Sequence, residues 1–151
     1  MKKIIAKSKN NINVYICEET IAHMKAHSDV SLKHIQEAIN NISLSGTFFM
    51  ESVDLNTIIG KDHCIYVSPE NWENITMVQR PNRKGFTPMI KSEPADTSLL
   101  TIGLCVDDGL WTLFTAFYGV KVPKEPWDAS IKSAQEKEES KKFWRCHALC
   151  Y

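Results

Sequence analysis

Two histidines, His23 and His27, are spaced four residues apart in a segment that the sequence predicts as helical. Residues i and i+4 share one face of a helix, so both imidazoles would project from the same stripe. That stripe lies roughly opposite Ile21, at the rim of the helix rather than in its apolar face. Imidazole titrates near neutral pH and can act as a general acid or base. The pattern predicts an acid–base pair, with two surface histidines as the alternative.

A basic turn near the middle of the chain contains Arg80, Arg83 and Lys84. Guanidinium groups grip phosphate through two parallel hydrogen bonds and stabilise charge that develops on it. Trp72 and Phe86 flank this turn and could stack on a nucleobase. A polar turn without a ligand, flanked by core aromatic residues, is the alternative.

Three further side chains complete the catalytic candidates. Thr115 and Tyr118 lie towards the far end of a predicted hairpin, where a hydroxyl can position a phosphate or donate a proton. His147 lies in an aromatic C-terminal segment. Thr115 could equally be an ordinary β-branched strand residue. The predicted site therefore comprises His23, His27, Arg83, Thr115, Tyr118 and His147.

A zinc-stabilised domain would use some of the same residues differently. The pair His23 and His27 could supply two ligands, Cys146 and Cys150 two more, with His147 as a third nitrogen ligand in a variant. No CxxC or HExxH motif supports this, so no metal or cofactor is expected. P-loop, GxGxxG and GxSxG motifs are also absent, which disfavours phosphate-cradling, Rossmann and α/β-hydrolase chemistry.

The chain has no overall charge that would attract a nucleic acid. Among its 151 residues, 18 are basic and 18 acidic, so binding to RNA would need a local basic patch. Five scattered cysteines favour free thiols in a reducing compartment over a disulfide framework. No apolar run approaches the ~18 residues of a membrane span, and the N-terminal run is too short for a signal peptide. We expect a cytoplasmic protein.

The elements that must position these residues predict a single α+β domain over residues 1–151. A strand is expected at Asn13–Cys17, a helix over 18–26, and a second helix that begins at the N-cap Ser31. The second helix has one apolar face, made by Leu32, Ile35, Ala38, Ile39 and Ile42. Further strands are expected at 47–50, 64–67 and 75–80, a loop around Pro88 and Pro94, and a charged helix over 130–142 with Asp128 as its cap.

A β-hairpin that turns at Asp108-Gly109 is the most readable element. An Asp-Gly pair favours a two-residue type I′ turn, which would place residues whose numbers sum to 217 opposite one another in strands 98–106 and 110–118. One face would then be apolar apart from Thr115, and the helices would pack on it. On the other face Phe114 would cover Gly103. The fold class is therefore α+β, with N-terminal helices on an antiparallel sheet that contains this hairpin, and a charged C-terminal helix.

The C-terminal third resembles the ending of a family of small uncharacterised bacterial proteins. The matching residues form a Pro-x-Glu-Pro-Trp-Asp segment at 123–128, followed by Phe143-Trp144 and His147-Ala148-Leu149. The resemblance implies a similar tail and assigns no chemistry.

The N-terminal half, over residues 14–42, is similar to barnase/EndoU/colicin-type nuclease domains. That similarity implies RNA cleavage without a metal, with His23 and His27 as acid and base, Arg80 or Arg83 on phosphate, and Thr115 or Tyr118 completing the site. The sequence thus predicts a metal-independent RNase-like enzyme. The alternative is a non-enzymatic interaction protein, of an immunity or phage accessory type, with an exposed aromatic patch formed by Trp127, Phe143 and Trp144.

Overall fold

The computed structural model describes residues 1–27 and 30–151, and the side chains of all of these except residues 26 and 27. The helices are α1 (Glu18–His27), α2 (Leu32–Asn40) and α3 (Ala134–Trp144), with a 3-10 helix at Pro69–Asn74. The strands are β1 (Lys2–Lys7), β2 (Asn13–Cys17), β3 (Phe48–Asp54), β4 (Gly60–Asp62), β5 (Cys64–Tyr66), β6 (Ile75–Val78), β7 (Thr87–Ile90), β8 (Ala95–Thr97), β9 (Leu99–Asp107), β10 (Leu110–Tyr118) and β11 (His147–Cys150).

The chain divides into two compact units. Residues 1–61 and 96–121 form the first unit, and residues 62–95 and 122–151 form the second. The short strands β4 and β8 pair with each other at two of the points where the chain passes between the units. The mixed α+β class is confirmed, and each unit has its own sheet.

The first unit is a five-stranded sheet in the order β1-β2-β10-β9-β3. The sheet is mixed rather than antiparallel, because β2 runs parallel to its neighbour β10. Strand β1 was not expected, since its sequence KKIIAK has weak alternation; its lysines suit the edge position that it occupies. Helices α1 and α2 contact strands of this sheet.

The apolar face of α2 carries the main core of the first unit. Ile35, Ala38 and Ile39 are fully buried, as their helical spacing predicts. Leu32, at the start of the same face, is half exposed instead. Ser31 is the N-cap residue as expected, although its side chain makes no capping hydrogen bond.

The hairpin has the predicted turn. Asp108 and Gly109 both have positive φ, 52° and 75°, as a type I′ turn requires. The predicted pairing holds from Leu110↔Asp107 to Leu113↔Leu104 and then shifts by one residue, so that Thr115 lies opposite Gly103. The prediction of one continuous register was therefore wrong beyond Leu113, because a β-bulge inserts one extra residue into β10.

The bulge changes which residues of β10 face the core. Ala116 and Tyr118 pack with the core cluster, whereas Thr115 does not belong to it. Thr115 was expected as the single polar residue on the apolar face, and that placement was wrong. Phe114 does cover Gly103, since a Cβ added at Gly103 would lie 2.6 Å from the Phe114 ring.

The second unit is a four-stranded sheet in the order β5-β11-β7-β6, with α3 in contact with β11. Pro88 lies within β7, whereas the sequence predicted a loop around it. The pairing of β11 with β7 involves Met89 and Ile90, so the missing N–H of Pro88 interrupts no bond on that side. Helix α3 begins at the N-cap Ser133, whose side chain accepts from the Glu136 N–H, and not at Asp128.

No α-helix in the described part of the chain is long and apolar enough to cross a bilayer.

Candidate functional site

The second unit contains an open cavity of about 640 Å³ with a predominantly basic lining, called here the basic cavity. The turn between β6 and β7 forms one side, and the chain segment after β10 forms the other. Four cations and two carboxylates line it: Arg80, Arg83, Lys84, Lys124, Glu125 and Asp128. The turn predicted to contact phosphate and the Pro-x-Glu-Pro-Trp-Asp segment therefore meet at one site.

Glu125 is the buried charge at this site. Its side chain is 10% exposed, and its Oε2 accepts a hydrogen bond of 3.1 Å from Nη2 of Arg80. A buried carboxylate without a partner would be strongly unfavourable, so this ion pair fixes Arg80 in a structural position. Of the two arginines predicted to contact phosphate, Arg80 is thus already engaged with the protein.

Arg83 and Lys84 are exposed and form no ion pair within 4.0 Å among the described residues. The turn that carries them closes through the Arg83 N–H, which donates to the Arg80 carbonyl at 3.1 Å. Asn82 has a φ of 62°, a conformation that asparagine tolerates better than most residues. The local backbone therefore presents two adjacent cations to solvent at the rim of the basic cavity.

Asp128 lies in the field of these cations. The hydroxyl and N–H of Ser130, at 2.7 and 2.9 Å, and then the charges of Lys124 and Arg83, hold the pKa of the Asp128 carboxyl below its ordinary value. Lys124 also lies 3.6 Å from Glu136, so its charge is shared. Arg83 and Lys84 are left as the principal cations for an incoming anion.

Unused hydrogen-bonding groups are concentrated in the second unit. Among the described residues, the buried side-chain atoms without a partner are Arg80 Nε, Thr87 Oγ1, Glu125 Oε1 and Trp127 Nε1. Three of the four belong to residues that line the basic cavity. A concentration of this kind is typical of a site shaped for binding rather than for stability.

Trp127 connects the two sides of the basic cavity. Its ring lies so close to Gly85 that a Cβ at that position would be 2.1 Å from the Trp127 Cγ. Gly85 is thus required for the approach of the indole to the basic turn. Trp127 was predicted as part of a surface for a protein partner, and it is partly buried here.

The other members of that predicted aromatic surface are also covered. Trp144 is 7% exposed, and its indole N–H donates to the Pro123 carbonyl at 3.2 Å. Phe143 is partly buried and stacks on His147, with 3.8 Å between ring centroids. In the described structure these aromatic rings pack mainly within the second unit.

The predicted catalytic residues are divided between the two units. His23, His27, Thr115 and Tyr118 belong to the first, and Arg83 and His147 to the second. His23 is exposed on α1, and the side chain of His27 lies outside the described residues. The first unit contains no arginine. In the first unit, Thr115 and Tyr118 both follow the bulge and are three residues apart. Their side chains therefore lie on opposite faces of β10.

Tyr118 is paired with His34 of α2. The Tyr118 hydroxyl lies 2.7 Å from Nδ1 of His34 and accepts from the Ser31 N–H at 3.1 Å. If each group is used once, the phenol donates to Nδ1 and the imidazole carries its proton on Nε2. The Tyr118 ring lies over Gly60, where a Cβ would be 2.4 Å from it. Sequence spacing cannot reveal this pair, because 84 residues separate its members.

His147 lies at the start of β11. Its Nδ1 is 2.8 Å from the Phe143 carbonyl and 3.4 Å from the Cys146 thiol, and Tyr66 packs against the ring edge. For the zinc alternative, the residues that the structure describes contain no cluster of three or more His, Cys, Asp or Glu that could hold a metal ion.

Sequence reasoning missed Lys124, Glu125 and Asp128 as members of the site. The signal that pointed to them was the unusual Pro-x-Glu-Pro-Trp-Asp spacing, which predicted a similar tail but no chemistry. Burial of Glu125 follows from its partner Arg80, 45 residues away, and no local pattern reports such a pair.

Comparison with known proteins shows the fold alone. No family model matches the chain, and no curated protein does. The crystal structure of a conserved hypothetical protein from Toxoplasma gondii is similar, with a TM-score of 0.56 and 10% sequence identity over 90% of this chain and 92% of that one. At this identity the similarity establishes a shared fold and carries no function.

Proposed function

We propose that the protein binds RNA through the basic cavity of the second unit. The observation that carries this proposal is the pair Arg83 and Lys84, which are exposed at the rim of the cavity and form no ion pair with any residue that the structure describes. The guanidinium fork of Arg83 matches the geometry of a phosphate, and Lys84 adds a second positive charge beside it. The chain has zero net charge, so a local cationic patch of this kind would supply the electrostatic attraction for RNA that the whole chain does not.

The proposal predicts that Arg83→Ala weakens RNA binding about tenfold, because one charge-assisted phosphate contact is lost. The slope of log Kd against log salt concentration should fall by about one. Fluorescence anisotropy with a labelled RNA oligonucleotide at several salt concentrations measures both quantities.

Lys33→Ala is the matched control, since Lys33 is an exposed cation on α2 of the first unit. It should leave the affinity and the salt slope unchanged. Equal binding by the wild-type, Arg83→Ala and Lys84→Ala proteins would show that the basic cavity is not the site.

RNA cleavage without a metal is a second candidate function. The observation that favours it is the 2.7 Å hydrogen bond between Tyr118 and His34, which couples a predicted catalytic hydroxyl to an imidazole. Cleavage measured in EDTA should fall in the His23→Ala or His27→Ala variant if these residues are acid and base. Tyr118→Phe tests the coupled pair. Unchanged cleavage by both histidine variants would remove His23 and His27 from the mechanism.

A further inference from the structure

A second cavity adjoins the basic cavity in the second unit and differs from it in chemistry. It has a volume of about 440 Å³ and is called here the aromatic cavity. Its lining includes Trp72, Met77, Phe86 and Pro88, and it shares Glu125, Trp127 and Trp144 with the basic cavity. The shared residues place the two cavities next to each other in the second unit.

The aromatic cavity presents apolar surface that the fold leaves uncovered. Phe86 is 54% exposed and Met77 is 53% exposed, although both are large apolar side chains. Phe86 follows the basic turn directly, two residues after Lys84. A ligand bound by Arg83 and Lys84 would therefore lie close in sequence to the exposed ring of Phe86.

The surroundings of the aromatic cavity are also cationic. Lys141 and Arg145, exposed on and just after α3, line the same cavity. Arg145 makes no ion pair within 4.0 Å among the residues described. Aromatic rings bordered by cations on two sides match a strand of nucleic acid, whose bases stack and whose phosphates carry the charge.

We propose that the aromatic cavity receives an unpaired base of the RNA whose phosphate lies in the basic cavity, so that the protein selects single-stranded over duplex RNA. This inference rests on the proposed RNA binding and specifies its substrate class. A base within a duplex is stacked between its neighbours and does not enter such a cavity. Phe86, as the most exposed ring of the lining, would form the stacking surface.

The test compares a labelled single-stranded oligouridylate with a blunt RNA duplex of the same length, in wild-type protein and in Phe86→Ala. We expect the single strand to bind at least about tenfold more tightly, and Phe86→Ala to reduce its affinity by about tenfold, a typical effect of losing one stacked base. Phe86→Tyr should retain the preference because it keeps an aromatic face.

Phe48→Ala is the matched control. Phe48 is 61% exposed on β3 of the first unit, so its truncation removes a comparable ring from another surface. It should leave both affinities unchanged.

The outcomes separate this inference from the function on which it rests. Equal affinity for single strand and duplex, with no effect of Phe86→Ala but weaker binding by Arg83→Ala, would overturn the stacking inference and leave RNA binding intact. Binding of neither RNA would overturn both.

Discussion

At the scale of single residues, the pKa of Asp128 can report on binding in the basic cavity. Hydrogen bonds from Ser130 and the nearby cations keep the pKa of its carboxyl below the ordinary value. A group with a lowered folded-state pKa stabilises the fold above its unfolded pKa, and that stabilisation is lost as pH falls through the folded pKa. Because the charges of Lys124 and Arg83 contribute to the lowered pKa of Asp128, a change in the local charge should shift that pKa.

Binding of an RNA phosphate should raise the pKa of Asp128, because a second anion nearby favours the protonated carboxyl. Carboxyl carbon shifts followed by NMR against pH, with and without oligouridylate, measure this change. Asp54 in the first unit also has a lowered pKa, from hydrogen bonds with Asn56 and Ser98, and its titration should not change. A constant pKa of Asp128 in the presence of bound RNA would place the phosphate elsewhere.

Single residues also mark how far the sequence could identify the site. Arg83 could be predicted, because a cluster of cations on a turn has a local signature. Glu125 could not, since the burial of its carboxylate depends on a partner distant in sequence. The hydrogen bond between His34 and Tyr118 could not be predicted either, because it forms only in the folded unit.

At the scale of elements, the hairpin shows what local sequence determines. The Asp108-Gly109 pair favours left-handed backbone at both positions, and the turn forms as predicted. The bulge after Leu113 carries no comparable signal, because any residue can be the inserted one and the partner strand decides the position. This single insertion moved Thr115 off the apolar face.

Gly109→Ala should destabilise the first unit by about 1 kcal/mol, since a side chain at a φ of 75° strains the backbone. A Cβ at this position would meet no atom within 4 Å, so steric contact does not add to the cost. The midpoint of urea unfolding measures the effect. Asp108→Asn is the control and should be nearly neutral, because asparagine tolerates positive φ. An equally stable Gly109→Ala protein would argue against the type I′ turn.

At the scale of the whole molecule, composition does not reveal the uneven distribution of arginine or the division into two units. The sums of 18 basic and 18 acidic residues cancel, yet all three arginines belong to the second unit. Division into two units also has no compositional signature. The chain passes between them at residues 61–62, 95–96 and 121–122, and the first two of these points lie within the paired strands β4 and β8.

The two units also differ in how they are stabilised. The first contains the large apolar core. Among the described residues of the second, only a few apolar side chains are buried: Cys64, Val67, Trp144 and Ala148. This contrast suits a division in which the first unit supplies stability and the second supplies the binding surface.

RNA binding at the basic cavity is tested most directly by locating bound RNA on the chain. A single-stranded oligonucleotide that contains 4-thiouridine is cross-linked to the protein by ultraviolet light, and the modified peptides are identified by mass spectrometry. RNA bound in the basic cavity should modify residues 80–86 and 122–129, with a lower yield of these cross-links in Arg83→Ala. Cross-links confined to the first unit, residues 1–61 and 96–121, would contradict the account.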